Sequence, residues 1–394
     1  MRILGISDVY FPRVDGVSTA VHTLCRELRA KGHAVTLIAP DYGADTDLPS
    51  EDVVRVSARR VMFDPENRMM KAQRVLELTE RLRGWNYDLV HIHTPFMAHY
   101  LGVALARRLG LPVVETYHTA FERVGQRYVP FLPKVLTAWA ARELTRSQCQ
   151  AVDAVVVPSE AMRDVLYRAG VATPISTVPI GVEPSWFVKG DGAGFRERHG
   201  IAPEQPLLVY IGRVTQEKNV PFLIDVLEVV RRSRPDAMLV IAGEGSADTP
   251  LRQLVAERDL VQNVLFLGYL ERSRELLDCY RAADVFVYPA RTEMHALAVL
   301  EAMAAGVPVV AHALMGSKDV LQAGAGALIA EPTVADFAAK VTQLLQDPAR
   351  RAELAAAGQE QARQWSASVM VERMLDCYRE VTGQRTEEMR VVAG

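Results

Sequence analysis

The chain has 394 residues, 45 basic against 48 acidic side chains and a formal net charge of −3. Apolar residues make up 49% and charged residues 24%, the balance of a globular chain with a large core. That excludes a disordered chain, a collagen-like repeat and a small disulfide-stapled scaffold. At about 100–200 residues per domain the length predicts two domains or more. The even charge balance offers no overall attraction to nucleic acid, so no nucleic-acid partner is expected. Cys25, Cys149, Cys279 and Cys377 stand far apart and form no Cys-x-x-Cys pair, which points to a reducing compartment and away from a zinc ribbon. An acid at Asp8 interrupts the N-terminus before an apolar signal core can form. No apolar run approaches the ~20 residues of a spanning helix. The longest, Ala302 to Ala311, contains Gly306 and Pro308. The expected location is the cytoplasm, with attachment to the inner face of a membrane at most.

In chain order, short apolar runs alternate with amphipathic stretches. Ile3–Ser7 predicts a buried strand, and Gly16-Val17-Ser18 opens a helix with Val21, Leu24, Cys25 and Leu28 at helical spacing. Gly32 is its expected C-terminal cap. Further strands are predicted at Val35–Ala39, Leu89–His93, Pro112–Thr116, Ala154–Val157 and Ile175–Val178. Helices are predicted between them at Lys71–Trp85, Ala98–Leu109, Leu132–Gln150 and Glu160–Ala169. The stretch from Pro179 to Pro206, with Gly190, Gly192 and Gly194, reads as a domain boundary. A second cycle has strands at Leu207–Ile211, Met238–Ala242, Val264–Leu267, Val285–Tyr288, Pro308–Ala311 and Ala327–Ile329, with helices at Val220–Arg232 and Ser273–Ala282. Val334 to about Arg379 is helical, and Thr382 to Gly394 reads as a frayed end. Strands separated by helices require parallel pairing with right-handed crossovers, so the fold class is α/β with two doubly wound, Rossmann-like domains. The expected boundaries are 1–182, 183–365 and a C-terminal helix over 366–394 that returns to the first domain.

In open α/β sheets ligands sit outside the carboxyl ends of the strands. The richest such segment runs from Thr292 through Glu293, Ala296, Leu297 and Glu301 to Val310. Glu293 precedes a helix and Glu301 lies eight residues later, within it. A helix start offers free amides and a positive dipole end to a diphosphate, and a carboxylate can take a sugar or ribose diol. For either Glu alone the plain alternative is a solvated helix acid. Arg213 and Lys218, in Gly212-Arg213-x4-Lys218-Asn219, place two cations after a strand, where a planar fork and a point charge can neutralise a diphosphate. Gly16, in Asp15-Gly16-Val17, permits close backbone approach; alone it reads as a turn. His118, in Tyr117-His118-Thr119, ends a strand; a lone His is more often structural. Gly243-Glu244-Gly245 and Gly268-Tyr269-Leu270 are further strand ends. Asp45-Thr46-Asp47 sits in a polar loop and reads as solvated. His91, His93 and His99 lack the convergent acid or Cys that zinc needs. No Gly-x-Gly-x-x-Gly opens the first helix, so a dinucleotide site is not expected.

Taken together, these segments resemble, over essentially the whole chain and in order, the retaining glycosyltransferases of the GT-B fold, family 4 (group 1). The signature of that family is Glu-x7-Glu followed by Ala-Met-Ala-x-Gly-x-Pro-Val-Val. Three positions differ from the usual pattern: Ala296 stands where the family has Gly, His295 replaces a common aromatic or small residue, which bears on donor choice, and Asp15 takes the first place of a loop that often has two glycines. The resemblance implies transfer of a hexose from a UDP- or GDP-sugar with retained configuration, no metal and no cofactor. It assigns Glu293 and His118 to the donor sugar and Glu301 to the ribose. Arg213, Lys218 and the helix start at Ala296 and Leu297 would face the departing diphosphate. Gly16 would lie near the donor phosphate, and Gly243, Gly268, Tyr269 and Leu270 at the nucleotide base. Within the family, Tyr117-His118-Thr119 and the run through Phe121, Glu122 and Arg123 to Phe131, Leu132 and Lys134 most resemble diacylglycerol glucosyltransferases and related mannosyltransferases. Phe121, Phe131, Leu132 and Trp139 among Arg123, Arg127, Lys134, Arg142 and Arg146 suit an anionic membrane surface. The implied acceptor is a membrane lipid such as diacylglycerol. The alternatives are a soluble or polyprenyl-linked glycan, a nucleotide-sugar 2-epimerase of the same fold, and a non-catalytic sugar-nucleotide binding protein.

Overall fold

The computed structural model describes residues 1–13, 15–43, 52–61, 64–118, 134–271, 274–291, 296–314, 316–321 and 326–392. The chain divides into two compact units, Met1–Gly181 with Ala367–Gly394, and Val182–Ser366. No described helix is long and apolar enough to cross a membrane.

The first unit is built on β1 (Arg2–Ile6), β2 (Ala34–Pro40), β3 (Val53–Val56), β6 (Leu89–Ile92), β7 (Val113–Thr116), β8 (Ala154–Val157) and β9 (Ile175–Thr177). They pair in the order β3-β2-β1-β6-β7-β8-β9, all parallel, with Ile3 beside Val35 on one side and Leu89 on the other. The order reverses between β1 and β6, which opens a crevice at their carboxyl ends. β4 (Ala58–Val61) and β5 (Asp64–Met70) form a separate antiparallel ribbon. The C-terminal helix Ala367–Val392 belongs to this unit and packs on the helix Gly16–Ala30. It is pinned by Lys31 to Glu372 at 2.7 Å and by Tyr378, whose Oη lies 2.6 Å from Nδ1 of the buried His91.

The second unit holds β10 (Leu207–Ile211), β11 (Met238–Ala242), β12 (Val264–Gly268), β13 (Val285–Tyr288), β14 (Val309–Ala311) and β15 (Ala327–Ile329). Their order is β12-β11-β10-β13-β14-β15, again all parallel, with the reversal between β10 and β13. β10, β13 and β14 are buried along their whole length, as near-continuous apolar strands covered on both faces must be.

Several elements depart from expectation for local reasons. The predicted helix Lys71–Trp85 is two helices, Ala72–Glu77 and Thr79–Arg83; the Thr79 hydroxyl donates to the Leu76 carbonyl at 2.7 Å and interrupts the ladder. The helix Asp248–Glu257 was not expected, because only Leu251 and Val255 are buried and Pro250 stands in its first turn. β3, β4 and β5 also went unread, since Arg55, Arg59, Arg60 and Arg68 break up the apolar alternation. The C-terminal helix extends past Thr382 to Val392.

The Gly-rich stretch read as a domain boundary is packed structure of the second unit beyond Gly181. It holds the helices Pro184–Phe187 and Gly192–Arg198, the latter capped by Asp191, whose Oδ1 accepts the Gly194 amide at 2.9 Å. Its glycines are there for contact. A Cβ on Gly190 would stand 2.2 Å from the Leu277 carbonyl oxygen, and one on Gly192 would stand 2.3 Å from that of Arg281. Gly192→Ala therefore forces two helices apart and is expected to cost about 1–3 kcal/mol of stability. The urea midpoint should fall with its slope unchanged; an unchanged midpoint would return the stretch to a linker.

Candidate active site

In the first unit, the carboxyl ends of β1, β6 and β7 carry a buried polar cluster. Asp8 accepts the Ala98 amide at 3.0 Å and the Thr94 hydroxyl at 2.8 Å, which ties the loop after β1 to the start of the helix Met97–Leu109. Burial pushes its carboxyl up to about 6, against the lowering pull of those donors. Sequence reading uses Asp8 only as the acid that interrupts a signal core; the signal for a structural role is an acid directly after a buried strand. His91 bridges Tyr378 and, at 2.7 Å, the Thr116 hydroxyl, and burial lowers its imidazole to about 3. Its ring lies 4.0 Å from that of His93, which burial, His91 and His118 all hold neutral. His99 pairs with the buried Glu115 at 2.9 Å, and burial raises that carboxyl. So His91 and His99 serve separate hydrogen bonds, and an acid does stand beside His99.

His118 follows β7 and is buried, close enough to His93 to disfavour its charge. Its neighbour Tyr117 is anchored through the Tyr117 and Thr145 hydroxyls, 2.8 Å apart, to the helix Lys134–Cys149. Gly16 is the first residue of its helix. The cap is Asp15, which accepts the Ser18 amide at 2.8 Å while its own amide donates to the Ser18 hydroxyl at 2.8 Å. Among the described residues nothing lies within 4 Å of a Cβ built on Gly16, so the space beside it is open.

In the second unit, three strand-end glycines weld the loops together. Gly212 has φ +155°, Gly243 φ +133° and Gly268 φ +66°. The Gly243 amide donates to the Gly268 carbonyl at 2.6 Å, and the Gly212 amide to the Ala242 carbonyl at 3.0 Å. A Cβ on Gly243 would lie 2.0 Å from the Gly212 carbonyl oxygen, and one on Gly245 2.2 Å from that of Val214. No larger residue permits these approaches. Tyr269 and Leu270 follow directly, with the Tyr269 ring exposed.

Arg213 and Lys218 share the loop after β10 but stand differently. The Arg213 side chain is 61% exposed and meets Glu217 at 3.3 Å, a pair cheap to break. Lys218 reaches across the strand-order reversal, its Nζ 3.4 Å from the Tyr288 hydroxyl and 5.9 Å from the centre of that ring. Glu301 is buried within the helix Leu297–Ala304 and accepts the Tyr280 hydroxyl at 2.8 Å. Leu297 is the first residue of that helix and is half-buried. Glu293, His295, Phe121, Arg123, Arg127, Phe131, Leu132 and the Asp45–Asp47 loop lie outside the described residues. Sequence reading missed Tyr280 and Tyr288, which carry no motif of their own.

Ala296 explains why a glycine is usual at its position. It is the N-cap of the helix Leu297–Ala304, with φ +48° and ψ 31°, and is fully buried. A left-handed Ala costs about 1–2 kcal/mol, offset by ~0.8 kcal/mol from its buried methyl. Ala296→Gly is therefore expected to shift stability by no more than about 1 kcal/mol, whereas a branched side chain has no place in this conformation. Ala296→Val should lose more than about 2 kcal/mol of stability. Thermal melts of both variants check this; equal tolerance of Val would refute the backbone argument.

Comparison with known proteins identifies the family. The model of Glycosyltransferase Family 4 matches residues 14–186, and that of Glycosyl transferases group 1 matches residues 193–364. The chain is 30% identical over 319 residues to the alpha-monoglucosyldiacylglycerol synthase of Streptococcus pneumoniae, spanning 79% of this chain and 71% of that one. It is 28% identical over 398 residues to a GDP-mannose-dependent alpha-mannosyltransferase of Mycobacterium tuberculosis, spanning 98% and 99%. Among solved structures it resembles the sucrose-phosphate synthase of Thermosynechococcus elongatus, with TM-score 0.76, 20% identity and coverage of 98% and 100%. It also resembles Anabaena HepE, with TM-score 0.75, 16% identity and coverage of 96% and 100%. The two parallel sheets are thus the halves of a GT-B fold, and the chain belongs to the group 1, family 4 glycosyltransferases.

Proposed function

We propose that the protein transfers a hexose from a nucleotide diphosphate sugar to the hydroxyl of a membrane lipid of the diacylglycerol class, with retention and without a metal. The bond from the anomeric carbon to the diphosphate oxygen breaks, the acceptor hydroxyl oxygen takes its place on the same face, and the hydroxyl proton passes to the departing diphosphate. Charge accumulates on the leaving diphosphate. Lys218 and Arg213, with the amides at Ala296 and Leu297, supply the compensating positive field that a metal ion would otherwise provide. Glu293 and His118 hold the sugar and Glu301 the ribose. Gly243, Gly268, Tyr269 and Leu270 border the base, and Gly16 leaves room for the phosphate side of the donor.

The donor half of this reading has a direct test. Removing one preorganised charge typically costs about 3–4 kcal/mol of barrier, so Lys218→Ala is expected to lower kcat by roughly a hundred- to a thousandfold while the melt stays near wild type. Activity should persist in chelator. Loss of activity in chelator, restored by magnesium or manganese, would overturn the metal-free mechanism.

One observation carries the lipid half. The helix Lys134–Cys149 turns Thr137, Ala141, Thr145 and Gln148 inward at three- and four-residue spacing, and presents Val135, Leu136 and Trp139 outward at 83%, 48% and 62% exposure. These apolar side chains are not core. A Trp and two aliphatics on one outward arc suit the boundary of headgroup and acyl chain. Arg146 on this helix is paired with Glu143 at 2.6 Å, so the basic contribution is smaller than the sequence implies. The relatives named for diacylglycerol glucosylation support this acceptor. A glycan acceptor has its own support in the 31% identity to a glycogen synthase of Mycobacterium tuberculosis, over 90% of this chain and 89% of that one. The reading places the reaction at the cytoplasmic surface of a membrane. Sedimentation with phosphatidylglycerol vesicles at low salt should carry the protein down, and Trp139→Ala should weaken this severalfold. Labelled sugar should enter the organic phase. No vesicle binding together with label only in the aqueous phase would favour the glycan acceptor and leave the transferase reading intact.

A further inference from the structure

Under the donor loops of the second unit runs a row of four buried aromatic rings, Tyr280, Phe286, Tyr288 and Tyr210. Successive centroids are 5.6, 6.1 and 6.4 Å apart, and the last two pairs are stacked within 18° of parallel. Three of the four are tyrosines, although phenylalanine would pack as well, and a buried phenol needs a partner for its hydroxyl. Each hydroxyl meets a residue of the donor motifs. Tyr210 donates to the Arg213 carbonyl at 2.9 Å, Tyr288 stands 3.4 Å from the Lys218 ammonium, and Tyr280 donates to Glu301 Oε2 at 2.8 Å.

The shortest of the three contacts is also the most enclosed. Glu301 is 4% exposed, and the Tyr280 ring is wedged between Phe286 and Phe187, the latter 5.8 Å away at 79°. The phenol therefore cannot swing, and it holds a carboxylate oxygen by a charge-assisted bond. Fixing Oε2 fixes the plane of the carboxylate, and with it the direction of Oε1. A diol accepted by one carboxylate requires that plane to be set beforehand, because a freely rotating group pays the ordering cost on binding.

We propose that Tyr280 is a positioning residue for ribose recognition: it orients Glu301 so that the carboxylate meets the two ribose hydroxyls of the donor nucleotide. The inference rests on the reading of Glu301 as the ribose ligand. It adds a residue outside every sequence motif and gives the aromatic row a purpose beyond packing.

The test is calorimetric titration of UDP and GDP, each beside its analogue lacking both ribose hydroxyls, into wild type, Tyr280→Phe and Glu301→Ala. Tyr280→Phe is expected to weaken the natural nucleotides about tenfold, the scale of one lost bond to a charged group, and to leave the analogues unchanged. Glu301→Ala is expected to abolish the difference between nucleotide and analogue. If Tyr280→Phe weakens both alike, or neither, Tyr280 only packs and the inference falls while Glu301 keeps its role. If Glu301→Ala retains full discrimination, the ribose role itself falls. Should the melt show Tyr280→Phe unfolded, fluorotyrosine placed at position 280 keeps the shape and strengthens the donor. It should then change the ratio of nucleotide to analogue affinity, and an unchanged ratio would overturn the proposal.

Discussion

Parallel pairing is the constraint from which the rest of this molecule follows. Every strand of both main sheets runs the same way, so within each unit every strand delivers its following loop to one edge. The reversal of strand order, at β1 and β6 in one unit and at β10 and β13 in the other, then parts two neighbouring loops and leaves a crevice. Lys218 and Tyr288 meet across such a reversal; Asp8 and Thr94 do so across the other. The polar chemistry of each half is gathered there because the strands themselves are buried and apolar.

The two crevices are finished by different physics. In the second unit the backbone does the work: glycines at positive φ bring carbonyls and amides of three loops into contact, and a row of buried aromatic rings lies beneath them. In the first unit the side chains do it. Asp8, His91 and Glu115 each lie buried with specific partners, and desolvation shifts each toward its neutral form. Such groups are costly unless satisfied, so the Thr94, Thr116, Tyr378 and His99 contacts are part of what holds this edge in shape.

Much of this was legible in the sequence. Strands such as Leu207–Ile211 and Val285–Tyr288 are continuous apolar runs, and a fully buried strand can be read without knowing its neighbours. The Glu-x7-Glu spacing and the Arg213 and Lys218 loop are local patterns, so they too could be read. What escaped depends on partners distant in sequence. Gly190 and Gly192 look like linker residues until the helix Glu275–Ala282 is packed against them. Tyr280 looks like core until Glu301 is brought beside it. Ala296 reads as a simple replacement of Gly until its backbone is seen in the left-handed region.

The membership of the C-terminal helix in the first unit has a consequence for how the chain is made. Tyr378 completes the hydrogen bonding of His91, and the helix covers the face of Gly16–Ala30, yet residues 182–366 must be synthesised before either can happen. At ordinary rates of translation that interval is on the order of 10–40 s. During it His91 keeps its Thr116 partner but lacks Tyr378 at Nδ1, and the helix Gly16–Ala30 lacks its C-terminal cover, while the second unit, continuous in sequence, can fold to completion. The half that begins first is therefore the half that finishes last, and its uncovered face is open to other partners throughout that interval.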